Sequence, residues 1–319
     1  ALGKKESELL IKSSIAKIQK GTLPTEVYAI NPFSFSAVPG SPLAYWVAKR
    51  VLQLFSEFPL LENDSRTVKQ GLATADDFRF LRLSQEISPE YLEGIWRPFA
   101  KGGEYAPFYS DIHLVVNWNS SGEEIRNFID QRTGKIRSRP QNISYYFQSG
   151  FTYTSYTNLG FAPRVLPEGV IFSIAGMGIF GFSLAGLAIL NSNLVQYITY
   201  LLADRRKWEA GVVQRIPLPY EYGSQERRLE KLALEAWRIR AEFDSNNLES
   251  HQFACHVIAN SKIENLHKIF IDTSSKLNNF TRKSLVVKSE IDDLVCDLYK
   301  VNQNDILDVT GLPALLGDQ

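Results

Sequence analysis

Apolar residues recur at helical spacing near both ends of the chain, and a long uncharged run fills its middle. Leu10, Ile11, Ile15 and Ile18 share one face of a short amphipathic helix over residues 5–19, which Gly21 stops. Residues 23–40 are rich in Pro, Ser and Gly and read as an extended linker. A second helix is predicted over 42–58, with Trp46, Val47, Val51 and Leu54 or Phe55 at helical spacing. Strands are predicted at 71–83 and 114–118, separated by polar turns such as Asn119-Ser120-Ser121-Gly122.

No charged residue occurs from Gly169 to Ala203, and Gly169 to Leu190 alone is long enough to span a bilayer. Five glycines punctuate that stretch at 169, 176, 178, 181 and 186, and Asn191, Ser192, Asn193 and Gln196 interrupt the apolar pattern after it. A buried core is favoured over a membrane span, because a lone spanning helix would seldom be so broken. The pattern predicts a strand at 170–174, a Gly-rich turn at 175–182 and a helix from about Leu184 carrying Leu187, Leu190, Leu194, Tyr197, Ile198 and Leu201.

Pro217 and Pro219 close the sheet region, since neither can donate to a ladder. Beyond them a charged helix is predicted over 225–243, with Leu229, Leu232, Ala233, Ala236, Ile239 and Phe243 on one face. Ile263, Leu266, Phe270, Thr273, Leu277 and Phe280 alternate three and four apart, a seam for packing on another helix. Ile291, Leu294, Val295 and Leu298 predict a further helix. The expected class is α+β, a mixed-sheet domain followed by a C-terminal helical bundle or arm.

With 35 basic and 35 acidic residues the chain is neutral, so any nucleic-acid surface must be a local patch. One is present: between Gln131 and Pro167 the only charges are Arg132, Lys135, Arg137, Arg139 and Arg164, interleaved with Tyr145, Tyr146, Phe147, Phe151, Tyr153, Tyr156 and Phe161. Cations can neutralise phosphates there, while aromatics and hydroxyls can reach sugars and base edges. Cys255 and Cys296 cannot make a disulfide framework, which points to a reducing compartment, with cytoplasm the default. The charged start lacks both a signal-peptide pattern and a methionine, which predicts a piece of a longer polypeptide.

Other motifs carry less. Asn31-Pro32-Phe33 resembles the loop with which amino-methyltransferases hold a flipped base, but lacks its second proline, and no Gly-rich turn with an acidic partner accompanies it. No catalytic residue is assigned. Lys101-Gly102-Gly103-Glu104-Tyr105 reads either as a tight turn or as backbone that could approach a phosphate. His251, Cys255 and His256 lack a fourth ligand for zinc, so no metal site is assigned.

Several segments, ordered along most of the chain, resemble the adenine-specific DNA methyltransferases of BREX phage-defence systems, the PglX-like family related to Type IIG restriction-modification enzymes. They are PFSFSAVPGSPLAYWVAKRVLQLF at 32–55, GLATADDFRFLRL at 71–83, WRPFAKGGEYAPFYSDIHLVVNW at 96–118, FTYTSYTNLGFAPRVLPEGVIFSIAGMGIF at 151–180, LAILNSN at 187–193 and WEAGVVQRIPLP at 208–219. The resemblance implies that residues 1–40 lead in from an N-terminal catalytic domain, 41–219 form a DNA target-recognition domain and 220–319 a helical C-terminal domain. It implies S-adenosylmethionine in the parent chain and no cofactor in this portion. It also makes Lys101 to Tyr105 part of a family motif, with a structural or DNA-approaching role.

Together these features predict double-stranded DNA recognition for a site-specific N6-adenine methyltransferase. Arg132, Lys135, Arg137 and Arg139 would hold phosphates, with Lys101 approaching the backbone, and Tyr153, Thr154, Ser155, Asn158 and Arg164 would read base edges or support the neighbours of a flipped adenine. Expected partners are duplex DNA, the N-terminal methyltransferase domain and other defence-system subunits, with no membrane. The alternative is an interaction module docking on a partner subunit through the C-terminal helices.

Overall fold

The computed structural model describes residues 4–22, 24, 27, 38–41, 47–92, 94–203, 206–245, 250 and 266–307. Most of the linker, the Asn31-Pro32-Phe33 segment, Trp46, the His251, Cys255 and His256 cluster and Ile263 lie outside them. In chain order the elements begin with α1 (Lys4–Gln19), α2 (Lys49–Glu57), β1 (Thr67–Lys69), β2 (Leu72–Ala73), α3 (Asp77–Phe80), β3 (Leu81–Leu83) and α4 (Pro89–Leu92). Next come β4 (Trp96–Ala100), β5 (Leu114–Asn117), α5 (Asn119–Arg126), β6 (Arg139–Pro140), β7 (Gly150–Thr154), β8 (Arg164–Leu166), β9 (Ile171–Phe172) and β10 (Gly176–Phe180). The helices α6 (Leu184–Leu190), α7 (Asn193–Leu202), α8 (Ala210–Val213), α9 (Glu226–Asp244), α10 (Leu266–Tyr299) and α11 (Gln303–Leu307) complete the order.

The class is α+β, as the sequence pattern predicts. One sheet runs β1-β10-β7-β8, antiparallel throughout, with Val68 opposite Ile179, Met177 opposite Tyr153 and Thr152 opposite Arg164. A second, mixed sheet runs β3-β5-β4-β9, where only the last pair is parallel, aligning Phe99 with Ile171. The ribbon β2-β6 sets Ala73 opposite Arg139.

Phe151, Tyr153, Met177 and Ile179 of the first sheet join α2, α6, α7, α9 and α10 in one continuous apolar core. Leu229, Leu232, Ala233 and Ala236 on α9 belong to the same core as Leu187 and Leu190 on α6, so the charged helix buries the face that its periodicity predicts. A smaller core under the second sheet gathers Phe80, Phe99, Trp118, Ile125, Tyr146 and Phe172. The apolar face of α1 instead stands exposed, at Leu10, Ile11, Ile15 and Ile18.

Four expectations are corrected. The segment at 71–83 is not one strand: the Asp76 carboxylate accepts from the Arg79 amide at 3.1 Å and caps the short helix α3 between β2 and β3. Residues 176–180 form strand β10, not a turn, because Gly176 and Gly178 supply room. A Cβ on Gly176 would lie 2.6 Å from the Gly102 nitrogen, and one on Gly178 would meet the Phe180 ring at the same distance. The helical run after Leu184 breaks at Asn191, whose amide group donates to the Pro163 and Leu187 carbonyls, and Ser192 then caps α7 by accepting from the Val195 amide at 3.3 Å. The helix predicted around Ile291 is the end of the single 34-residue α10.

Among the described residues no helix is long and apolar enough to cross a membrane. Nor do any three of their His, Cys, Asp or Glu side chains stand where they could hold a metal ion.

Candidate nucleic-acid interface

Three of the cations singled out by the sequence sit on one hairpin spanning residues 128–137. The Arg137 amide donates to the Phe128 carbonyl and the Asp130 amide to the Lys135 carbonyl, each at 2.9 Å, while Ile129 and Ile136 pair across the ribbon. Asp130 fixes the tip by accepting from the backbone amides of Thr133 and Arg132, both at 2.9 Å, and these bonds hold its carboxyl below the usual range. Arg132, Lys135 and Arg137 are exposed on this frame, and exposed Arg139 lies just beyond on β6. At the hairpin base the guanidiniums of Arg79 and Arg137 stand 5.0 and 5.5 Å from the centre of the Phe128 ring, which aligns both cations over one aromatic.

Through the pairing of Arg139 with Ala73, the basic strand adjoins the segment that carries Thr74, Asp77 and α3. Lys101 reaches into that segment and forms an ion pair with Asp77, which also accepts from the Thr74 hydroxyl. Burial pulls the Asp77 carboxyl upward, but the bonds from Lys101 and Thr74 outweigh it and leave the group below its ordinary value. Gly102 comes next at φ +106°, and a Cβ there would stand 2.8 Å from the Ala175 carbonyl oxygen, so the turn at this point needs glycine.

Beyond it, the Thr154 hydroxyl donates to the Gly103 carbonyl at 3.0 Å, and Arg164 donates to the Glu104 carbonyl at 3.3 Å. Lys101, Thr154 and Arg164 are therefore brought together around one turn, with Ser155 next to it through a 2.8 Å bond from its amide to the Ala175 carbonyl.

Tyr153, Thr154 and Arg164 do not face outward, contrary to the expectation from sequence. Strand β7 is covered on both sides: Phe151 and Tyr153 enter the helix-covered core, whereas Thr152 and Thr154 lie under the 99–103 segment. Tyr153 is fully buried, its hydroxyl 3.2 Å from the Met177 sulfur, and burial raises its phenol well above the ordinary value. Arg164 is also buried, and desolvation lowers its pKa to about 10, which still leaves it charged at neutral pH. Ser155 is half-buried and Asn158 exposed on the β7–β8 connection, where the Thr157 amide donates to the Arg206 carbonyl.

Several exposed side chains near these residues carry no signal in the sequence pattern. Tyr156 stands out on the same connection, bridged to Lys207, and Arg206 and Lys207 add two exposed cations from a distant part of the chain. Phe78 and Arg79 project from α3. Lys207 and Tyr156 are 51 positions apart, so only their backbone pairing places them together.

No protein-family model matches the chain. It is 29% identical over 214 residues to the adenine-specific methyltransferase PglX of Lacticaseibacillus casei (strain Zhang), covering 62% of this chain and 18% of that protein. It is 27% identical over 301 residues to the adenine-specific methyltransferase BrxX of Escherichia coli O9:H4 (strain HS), covering 85% of this chain and 23% of that one. The chain is similar to PglX-like adenine-specific methyltransferases. The resemblance carried by the ordered segments is thus borne out, although the chain spans less than a quarter of the length of these relatives. Among solved structures, the Type IIL restriction-modification enzyme MmeI in complex with DNA aligns over 77% of this chain and 34% of that one, with a TM-score of 0.46 and 14% identity.

Proposed function

We propose that this chain is the duplex-DNA recognition portion of a site-specific N6-adenine methyltransferase of a phage-defence or restriction-modification system. The observation that carries the reading is the row of exposed cations Arg132, Lys135 and Arg137, held on a hairpin whose tip is fixed by Asp130, with Arg139 just beyond on β6. The names of the two relatives supply the methylation half of the reading.

In this reading residues 41–219 bind DNA, 220–319 brace them through α9 and α10, and 1–40 lead in from the methyltransferase domain of a longer parent. Arg132, Lys135, Arg137 and Arg139 hold phosphates and set the register. Ser155 and Asn158, with Tyr156 beside them, approach base edges, while buried Tyr153, Thr154 and Arg164 support that connection from beneath. Lys101, already paired with Asp77, orders the turn next to them. The setting is the cytoplasm.

S-adenosylmethionine belongs to the parent chain. Gly176 and Gly178 lie in the antiparallel strand β10, where the space beside them is taken by the Gly102 backbone and the Phe172 and Phe180 rings.

The test is binding of the chain to a random-sequence duplex by fluorescence anisotropy at several salt concentrations. Each phosphate neutralised contributes about 0.9 to the slope of log affinity against log salt, so Arg137→Glu with Arg139→Glu should flatten it by about two. An unchanged affinity and slope would remove these residues from the interface.

A second reading has its own support: Leu277, at 47% exposure, and Leu285 and Val286 stand open on α10, where they could dock a partner subunit. A stable dimer in sedimentation that Leu277→Asp abolishes would favour it.

A further inference from the structure

Phe78 is 96% exposed, although phenylalanine is among the side chains most often buried. Its backbone is nevertheless tightly held. Asp76 caps the helix that carries it, the Phe78 carbonyl accepts from the Arg82 guanidinium at 2.7 Å, and adjacent Asp77 is tied to Thr74 and Lys101. Two residues on, Phe80 is fully buried and packs edge-on to Phe128, with ring centres 5.2 Å apart. Phe80 therefore anchors the turn from within while Phe78 is presented outward.

Its surroundings are charged. Arg79 and Asp77 flank it in sequence, and β2, which leads into this turn, pairs with Arg139. Arg79 shares the Phe128 ring with Arg137 of the hairpin. Two of the nearby acids are paired with cations, Asp77 with Lys101 and Glu124 with Arg79 at 2.8 Å, while Asp76 accepts from the Arg79 amide and Glu123 stands exposed beside Arg79. An exposed aromatic set among charged side chains is a poor start for a protein interface, which needs a contiguous apolar patch. It suits a base step, into which apolar wedges insert while neighbouring cations hold the phosphates.

We propose that Phe78 is a wedge that enters the base stack of a bound DNA duplex, between the Arg137 and Arg139 cations and the Lys101 turn. This rests on the DNA-recognition reading above. Insertion costs unstacking energy, and a duplex with one base missing has already met that cost and offers a gap for the ring.

The experiment compares binding of the chain to an intact duplex and to the same duplex carrying one abasic site, by anisotropy over a range of salt. The expected result is a preference of about tenfold for the abasic duplex, in line with aromatic stacking on a base. Phe78→Ala abolishes that preference and Phe78→Trp keeps it, while the salt slope stays the same because no charge changes.

A preference that survives Phe78→Ala overturns the wedge. Equal binding of both duplexes by the unaltered chain also overturns it, and leaves Phe78 to contact a protein. In both cases a steep salt slope keeps the recognition surface standing. Failure to bind either duplex at low salt overturns wedge and surface together.

Discussion

Arg164 on β8 donates to the Thr154 hydroxyl on β7 across 3.0 Å, a bond sealed inside the sheet. The same guanidinium reaches the Glu104 carbonyl, so one cation ties two strands to the Lys101 turn. Arg164→Ala should cost about 2 to 4 kcal/mol in urea denaturation, since it leaves a cavity and strips the buried Thr154 hydroxyl of a donor. The salt slope of DNA binding by the folded variant should not change, because Arg164 reaches no phosphate. Arg139→Ala should do the reverse, with stability kept and the slope reduced by about one.

The clearest buried ion pair lies within helix α10 and ties that helix to α7. Lys288 on α10 donates to both oxygens of Asp292 at 2.7 Å and to the Asn193 side chain at 2.8 Å, and Asp292 accepts from the Asn193 amide at the start of α7. Asp292→Ala would leave the ammonium buried without its counter-charge, an expected loss of about 3 to 5 kcal/mol. Lys288→Met combined with Asp292→Leu should recover most of it, because an apolar pair carries no desolvation penalty. A double-mutant cycle in denaturant measures the coupling directly.

Helical periodicity made most of the helices legible. The spacing of Leu229, Leu232, Ala233 and Ala236 encodes a buried face directly, and α9 buries it. The strand interiors were less readable because both sides of β7 are covered, so the hydroxyl of Thr154 and the phenol of Tyr153 look like surface chemistry in sequence while serving the core. Glycines misled for a related reason: in β10 they make room for neighbouring rings and backbone rather than bending the chain. The cation cluster at 132–139 needed only local sequence, since one hairpin and the strand after it display it. Phe78 carries no such signal, because its exposure depends on the Asp76 cap and the inward turn of Phe80.

Acid should weaken the chain partly through Glu62. Burial pushes this carboxyl upward, but bonds from the Thr67 hydroxyl, the Val68 amide and Lys69 prevail and hold it below its ordinary 4.5. A folded-state pKa below the unfolded one adds stability that is present above about pH 4.5 and is lost as pH falls through the lowered value. Glu62→Gln removes that titration, so the acid limb of stability against pH should become shallower while Asp77 and Asp130 continue to contribute. Urea midpoints collected from pH 6 down to about pH 3 test the sign.

Gly181 and Gly211 should respond to alanine in opposite ways. Gly181 joins β10 to α6 with φ +88°, and an added Cβ would overlap the Ser65 carbonyl oxygen, which lies just before β1. Alanine there meets both a left-handed backbone penalty and a clash with main chain that cannot swing aside, so a loss of more than about 2 kcal/mol is expected. Gly211 lies within α8 with nothing near the position of a Cβ, and alanine should raise stability by about 0.5 to 1 kcal/mol by reducing the freedom of the unfolded chain. Thermal midpoints of the two variants would move apart. If Gly181→Ala left the midpoint unchanged, the contact between this turn and Ser65 would be too loose to fix the junction of β10 and α6 against β1.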